Sequence, residues 1–186
     1  MADVSGHGVP AAMLTGLIKV LFRTGIKDYG DPKALLQWFN NEIARYLSTG
    51  EFLTMFVGLW KASGRCLQYA GAGHPPALLI ASDGTKVDRL YVSEGVVGVI
   101  MEKEFVQKEI VIEVGQRLVC YTDGITETMS CEQALFGEDR LADLCARAMR
   151  GPLSEMVRIV FQEIAQFSAG AFQQDDQALL VMEVVA

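Results

Sequence analysis

A chain of 186 residues that is 51% hydrophobic has the length and apolar content for one sizeable core, so a single domain over residues 1–186 is expected. Its net charge of -7 repels phosphodiester backbones and anionic lipid, and no local Lys/Arg cluster offsets it, which argues against nucleic acid and membrane surfaces as partners. No apolar run approaches the roughly 20 residues that span a bilayer, and no basic-then-apolar signal segment opens the chain, so the cytoplasm is the expected location.

The first periodic segment runs from Pro10 to about Tyr29, where Leu14, Leu17, Ile18, Leu21 and Phe22 form a helical stripe and Pro10 suits the first turn. Gly30 stops it. Asp31 then caps a second helix that starts at Pro32 and buries Leu35, Leu36, Phe39, Ile43 and Leu47. The middle of the chain changes period: "FLTMFVGLW", "CLQYAGAG" and "PALLIAS" read as strands, separated by the turns "KASGR" and "GHPP". A hairpin at Asp83-Gly84, the alternating "FVQKEIVIEV" and the apolar "QRLVCYTDG" extend this into an antiparallel meander. Two helical patterns follow, "FGEDRLADLCARAM" and "SEMVRIVFQEIAQF", before a last strand in "QALLVMEVV". Helices, strands, helices and a strand, in that order, imply an α+β fold. There is no internal repeat, low-complexity tract or linker.

The cysteines, Cys66, Cys120, Cys131 and Cys145, contain no CxxC pair, and neither His7 nor His74 has a Cys near it in sequence. A metal bound here is therefore expected on carboxylates. Three places put an acid where an apolar segment meets a turn: Asp3 in "ADVSGHG", Asp123 in "VCYTDGITE", and Asp175 with Asp176 in "QQDDQALLV". A carboxylate in such a place needs hydrogen bonds, a basic partner or a cation. Several of them with no thiolate or imidazole favour magnesium or manganese. Each signal is weak alone. Asp-Gly is a common turn dipeptide, as Asp83-Gly84 illustrates, Asp175-Asp176 alone reads equally as a solvated or capping loop, and "SGHG" as a flexible linker.

In combination and order these motifs resemble the PPM-type, metal-dependent protein serine/threonine phosphatases, in the bacterial SpoIIE/RsbU-like branch that regulates sporulation and stress sigma factors. "DVSGHGVPAAML" looks like that branch's strand-to-helix motif and "YAGAGHPPALL" like its central hairpin. "YTDGITE" looks like its second acidic motif, and "FGEDRL" followed by "DDQALLV" like its C-terminal pair. The resemblance runs from Ala2 to Val184. It implies a four-layer α/β/β/α sandwich with two antiparallel sheets. Family members carry further strands with a glycine-aspartate motif upstream of the position of Asp3, so the resemblance implies an N-terminally truncated domain that lacks its first strands.

By the same resemblance, two Mn2+ or Mg2+ ions are expected, with Asp3 bridging them, the main-chain carbonyl of Val4 reaching one, Asp123 and Asp175 binding from other strands, and Asp176 supporting the metal site. His7 stands either as a proton donor or in a helix-capping or structural role; His74 with Pro75 and Pro76 is expected to shape a turn. Gly6, Gly8 and Gly124 are expected to permit close backbone approach. Ala178 stands where the branch commonly has threonine, which removes a hydroxyl from the metal surroundings. The chemistry suits oxygen ligands, because two divalent ions about 3.5 to 4 Å apart activate a water and neutralise phosphoryl charge without a protein nucleophile. The implied substrate is a phosphorylated protein, an anti-sigma-factor antagonist. The alternative is a phosphatase-like module that binds a phosphoprotein or forms a homodimer through an open sheet edge without hydrolysing anything.

Overall fold

The computed structural model describes residues 1–6, 8–92 and 95–185. In chain order its elements are β1 (Ala2–Val4), α1 (Val9–Gly25), α2 (Pro32–Ile43), β2 (Leu53–Lys61), β3 (Cys66–Ala72), β4 (Ala77–Ile80), β5 (Val87–Leu90), β6 (Gln107–Val111), β7 (Arg117–Tyr121), α3 (Asp123–Thr126), α4 (Glu138–Arg147), α5 (Leu153–Ser168) and β8 (Leu179–Glu183). The strands form two antiparallel four-stranded sheets, ordered β1-β2-β3-β6 and β5-β4-β7-β8, so the α+β reading holds. The "meander" divides: β3 takes β6 as its second neighbour, while β4 opens the other sheet. Two contact units result, Met1–His74 with Val92–Val111, and Pro75–Tyr91 with Ile112–Ala186. Among the described residues no helix is long and apolar enough to cross a membrane.

In the first unit the β2-β3 hairpin runs in register from Met55↔Ala72 to Lys61↔Cys66 and turns through Arg65, which adopts a left-handed φ of 48°. The cap expected for α2 is present: the Asp31 carboxylate accepts from Ala34 N at 2.8 Å, and Pro32 occupies the first turn. Leu35, Leu36, Phe39 and Ile43 of α2 bury against Leu53 and Met55 of β2 and Ala70 and Ala72 of β3. Each large apolar side chain so buried contributes about 1.5–3 kcal/mol. Asn40, fully buried in the same helix, ties down the segment ahead of β6 by donating to Ile100 O at 2.9 Å and accepting from Gly98 N at 2.8 Å. The helix α1 ends at Gly25, short of Tyr29. A side chain at residue 25 would run into the Trp38 ring of α2, so packing between the helices fixes the end.

The second unit is built on β7, whose five residues are all buried. Leu141 and Cys145 of α4 and Met156, Val160 and Ile164 of α5 pack with Leu78, Ile80, Val119 and Tyr121 of the sheet. A charge lies within this core. Arg117 pairs with Glu183 at 2.7 Å across the β7-β8 register and donates to the carbonyls of Gly151 at 2.6 Å and Ala148 at 3.4 Å. A buried guanidinium is tolerated because its donors are matched.

Candidate active site

The β7-β8 pairing carries the chain from Tyr121, opposite Leu179, directly into the two acidic segments of the second unit. Thr122 joins them. Its amide donates to Ala178 O at 3.1 Å, its hydroxyl accepts from Ala178 N at 2.9 Å, and the same hydroxyl donates to Asp176 O at 2.8 Å. Gly124 closes the approach: a Cβ there would lie 2.5 Å from Asp176 O and 3.2 Å from the carbonyl carbon of Asp175, so only glycine lets the two backbones meet. The expectation of close approach at Gly124 is met for this reason; at Gly6 and Gly8 it is not, since a Cβ there would meet nothing within 4 Å and what those positions require is a positive φ, +89° and +80°.

Asp123 opens α3, a single turn whose carbonyl ladder starts at Asp123 O, which accepts from Glu127 N at 2.7 Å. Its Oδ1 is buried and has no hydrogen-bond partner among the described residues. Since nearly all buried polar atoms are paired in folded proteins, an orphaned carboxylate oxygen calls for a ligand. Asp175 and Asp176 are exposed, with Asp175 Oδ1 accepting from Asp176 N at 2.7 Å. Further out, Gln177 donates to the Thr128 hydroxyl at 2.9 Å, and Thr128 donates to Gly124 O at 2.8 Å, so the two loops are stitched along their length.

In the first unit Asp3 sits half-buried in β1, opposite Thr54 of β2, with its Oδ1 accepting from Val4 N at 2.8 Å. The strand is anchored at both ends, by the N-terminal amine on Phe56 O at 2.8 Å and by Ser5, whose hydroxyl accepts from Phe52 N at 2.8 Å. Directly opposed residues present their side chains on one face of a sheet, so Thr54 and Asp3 are neighbours there. The Thr54 hydroxyl is in turn hydrogen-bonded to Nδ1 of His74 at 2.8 Å, and His74 is buried. His74 thus does more than shape a turn. His7 lies outside the described residues.

Asp123 and the Asp175-Asp176 segment are therefore brought together within one unit, while Asp3 and Val4 belong to the other. Among its described residues, neither unit gathers three or more His, Cys, Asp or Glu side chains into a group able to hold a metal ion. The donor set nonetheless fits a hard cation. It is all oxygen, and one carboxylate oxygen, Asp123 Oδ1, is buried without a partner among the described residues. Sequence reasoning missed Thr122 and the Thr54–His74 pair, because their roles depend on strand register, which local pattern does not reveal.

Known structures share this architecture. The SiaA PP2C domain of Pseudomonas aeruginosa superposes with a TM-score of 0.89 at 24% identity, covering 98% of this chain and 74% of that one, so the fold is that of the PP2C phosphatases. The family model described as stage II sporulation protein E (SpoIIE) matches residues 1–185, and the chain belongs to that family. Among curated relatives, protein IcfG of Synechocystis is 29% identical over 98% of this chain and 33% of its own length. Phosphoserine phosphatase RsbU of Bacillus subtilis is 27% identical over 98% of this chain and 54% of its own length. The chain thus spans between a third and just over half of these relatives.

Proposed function

We propose that residues 1–186 act as one metal-dependent phosphatase domain that hydrolyses phosphoserine or phosphothreonine in a protein, an anti-sigma-factor antagonist, in the cytoplasm. The observation that carries this reading is the buried Oδ1 of Asp123, without a partner among the described residues and beside the Asp175-Asp176 backbone, in a family whose relative RsbU bears the name phosphoserine phosphatase. Asp3, the main-chain carbonyl of Val4, Asp123 and Asp175 would hold the ions, with Asp176 supporting them. Two manganese or magnesium ions, when bound, supply an activated water and neutralise charge on the phosphoryl oxygens.

The chain's own part is positional. Thr122 holds the end of β7 against Asp176 and Ala178, which fixes the direction in which Asp123 leaves the sheet. The Thr122 hydroxyl already ties Ala178 by its amide, so a side-chain hydroxyl at residue 178 is not needed to hold that strand. Cys120, the thiol nearest to Asp123 in sequence, is no nucleophile, since burial pushes it up to about 11 and keeps it protonated at neutral pH.

The test is phosphate release from a phosphoserine protein with manganese present, and an unchanged rate in Asp123→Asn would reject the metal role. The rival is a module that binds a phosphoprotein or pairs with a second copy without hydrolysis. Manganese titration by calorimetry separates them: two ions per chain support the enzyme, and no heat at millimolar manganese supports the module.

A further inference from the structure

The second unit contains a cavity of about 490 Å³ between the loop after Asp123, the C-terminal half of α5 and the segment leading to Asp175. That volume lies in the range of ligand-binding clefts, roughly 300–1,000 Å³. Gly124 and Asp175 line it, so it is continuous with the acidic segments described above. Its apolar wall comes from Phe161 and Ile164, and at its rim Phe172 is 89% exposed, an aromatic ring that takes no part in the core. Among the described residues its charged lining comes from Glu127 and Asp175, both acidic, and no Lys or Arg lines it.

We propose that this cavity receives the stretch of substrate polypeptide flanking the phosphoserine, and that it selects a stretch carrying Lys or Arg close to the phosphorylated residue. The inference rests on the phosphatase reading above. Ions held at Asp123 and Asp175 would leave a bound phosphate and its own chain at the mouth of the cavity, because Asp175 and Gly124, the residue after Asp123, line it. A basic side chain fits the lining in both its parts. The aliphatic stem of Lys or Arg lies along Phe161 and Ile164, and its charged head meets the Glu127 carboxylate and the face of Phe172. An acidic flank would meet the Glu127 carboxylate on a chain whose net charge is already -7.

The full chain, with manganese present, is titrated by fluorescence anisotropy with labelled peptides in which a non-hydrolysable phosphonate analogue replaces phosphoserine and whose flanks are basic or acidic. The basic peptide is expected to bind about tenfold more tightly. Glu127→Lys should abolish or invert that preference, and Phe172→Ala should weaken the basic peptide several-fold. Equal affinities for the two peptides, a preference for the acidic one, or a preference untouched by both substitutions overturns the proposal. Far-ultraviolet circular dichroism and the thermal melt, expected to match wild type, show that both variants are folded. Phosphate release from p-nitrophenyl phosphate by the wild-type chain with manganese tests the phosphatase reading separately: a wild-type chain that binds the basic peptide but releases no phosphate loses its enzymatic assignment and keeps its docking site.

Discussion

Asp83-Gly84 and Asp123-Gly124 are the same dipeptide following two neighbouring strands of one sheet, and they are held in opposite ways. At the first, which closes the β4-β5 hairpin, the carboxylate accepts from the Thr85 amide at 2.9 Å and the Thr85 hydroxyl at 2.7 Å. Gly84 takes a φ of +74°, and the turn is complete in itself. At the second, Oδ1 is buried with no partner among the described residues, and Gly124 is required for closeness to Asp176 rather than for a left-handed φ. An aspartate whose own turn satisfies it has nothing left to offer a ligand. One with a buried, unsatisfied oxygen carries a desolvation cost until something arrives.

The largest effect is expected from Asp123→Asn. Phosphate release should fall at least about 100-fold and the heat of manganese binding should shrink, while the thermal melt of the metal-free chain holds or rises, because a neutral amide is cheaper to bury than an unpaired carboxylate. Gly124→Ala comes next. Its methyl would meet Asp176 O at 2.5 Å, so the acidic segments must separate, with a cost of about 1–3 kcal/mol in urea unfolding and a clear loss of turnover.

Gly84→Ala should destabilise to a similar degree, since its Cβ would lie 2.5 Å from Ala146 O at a φ of +74°. Turnover per folded molecule, measured after correcting for the unfolded fraction, should stay at the wild-type value. If Gly84→Ala damaged catalysis as much as Gly124→Ala, the contrast between the two sites would be lost.

The smallest effect is at Asp83 itself. Its carboxyl is held below the usual value of 3.8 by the Thr85 amide and then the Thr85 hydroxyl. A depressed folded-state pKa stabilises above the unfolded value, and that contribution disappears as pH falls through the folded one. Asp83→Asn should therefore lower the urea midpoint slightly at neutral pH, and the gap from wild type should close as the pH drops below 3.8.

Much of the fold is legible in sequence where the cause is local. The Asp31-Pro32 start of α2 and the apolar spacing of α4 and α5 announce themselves within a few residues, and the Asp83-Gly84 hairpin does so within two. The end of α1 is not legible, because it is decided by Trp38 of another helix, and α3 spans four residues, too few for any period to emerge. The candidate site divides along the same line. Acidic residues at segment ends can be picked out by eye, but the meeting of Asp123 with Asp175-Asp176 depends on β7 pairing with β8 from far along the chain, and on the Thr122 hydroxyl, which is bonded to Asp176 O and Ala178 N.

The depth at which the second unit buries its sulfur has a practical use. Desolvation pushes the thiol of Cys120 up to about 11 and that of Cys145 up to about 12, so neither ionises near neutral pH, whereas Cys131 is exposed close to the carbonyls of Ser168 and Ala169 at the end of α5. A maleimide dye added sparingly therefore reacts at Cys131 ahead of the buried pair. Ser168 also borders the cavity, so once the partly exposed Cys66 is replaced by serine, Cys131 is an attachment point for an optical reporter of occupancy, with no cysteine introduced.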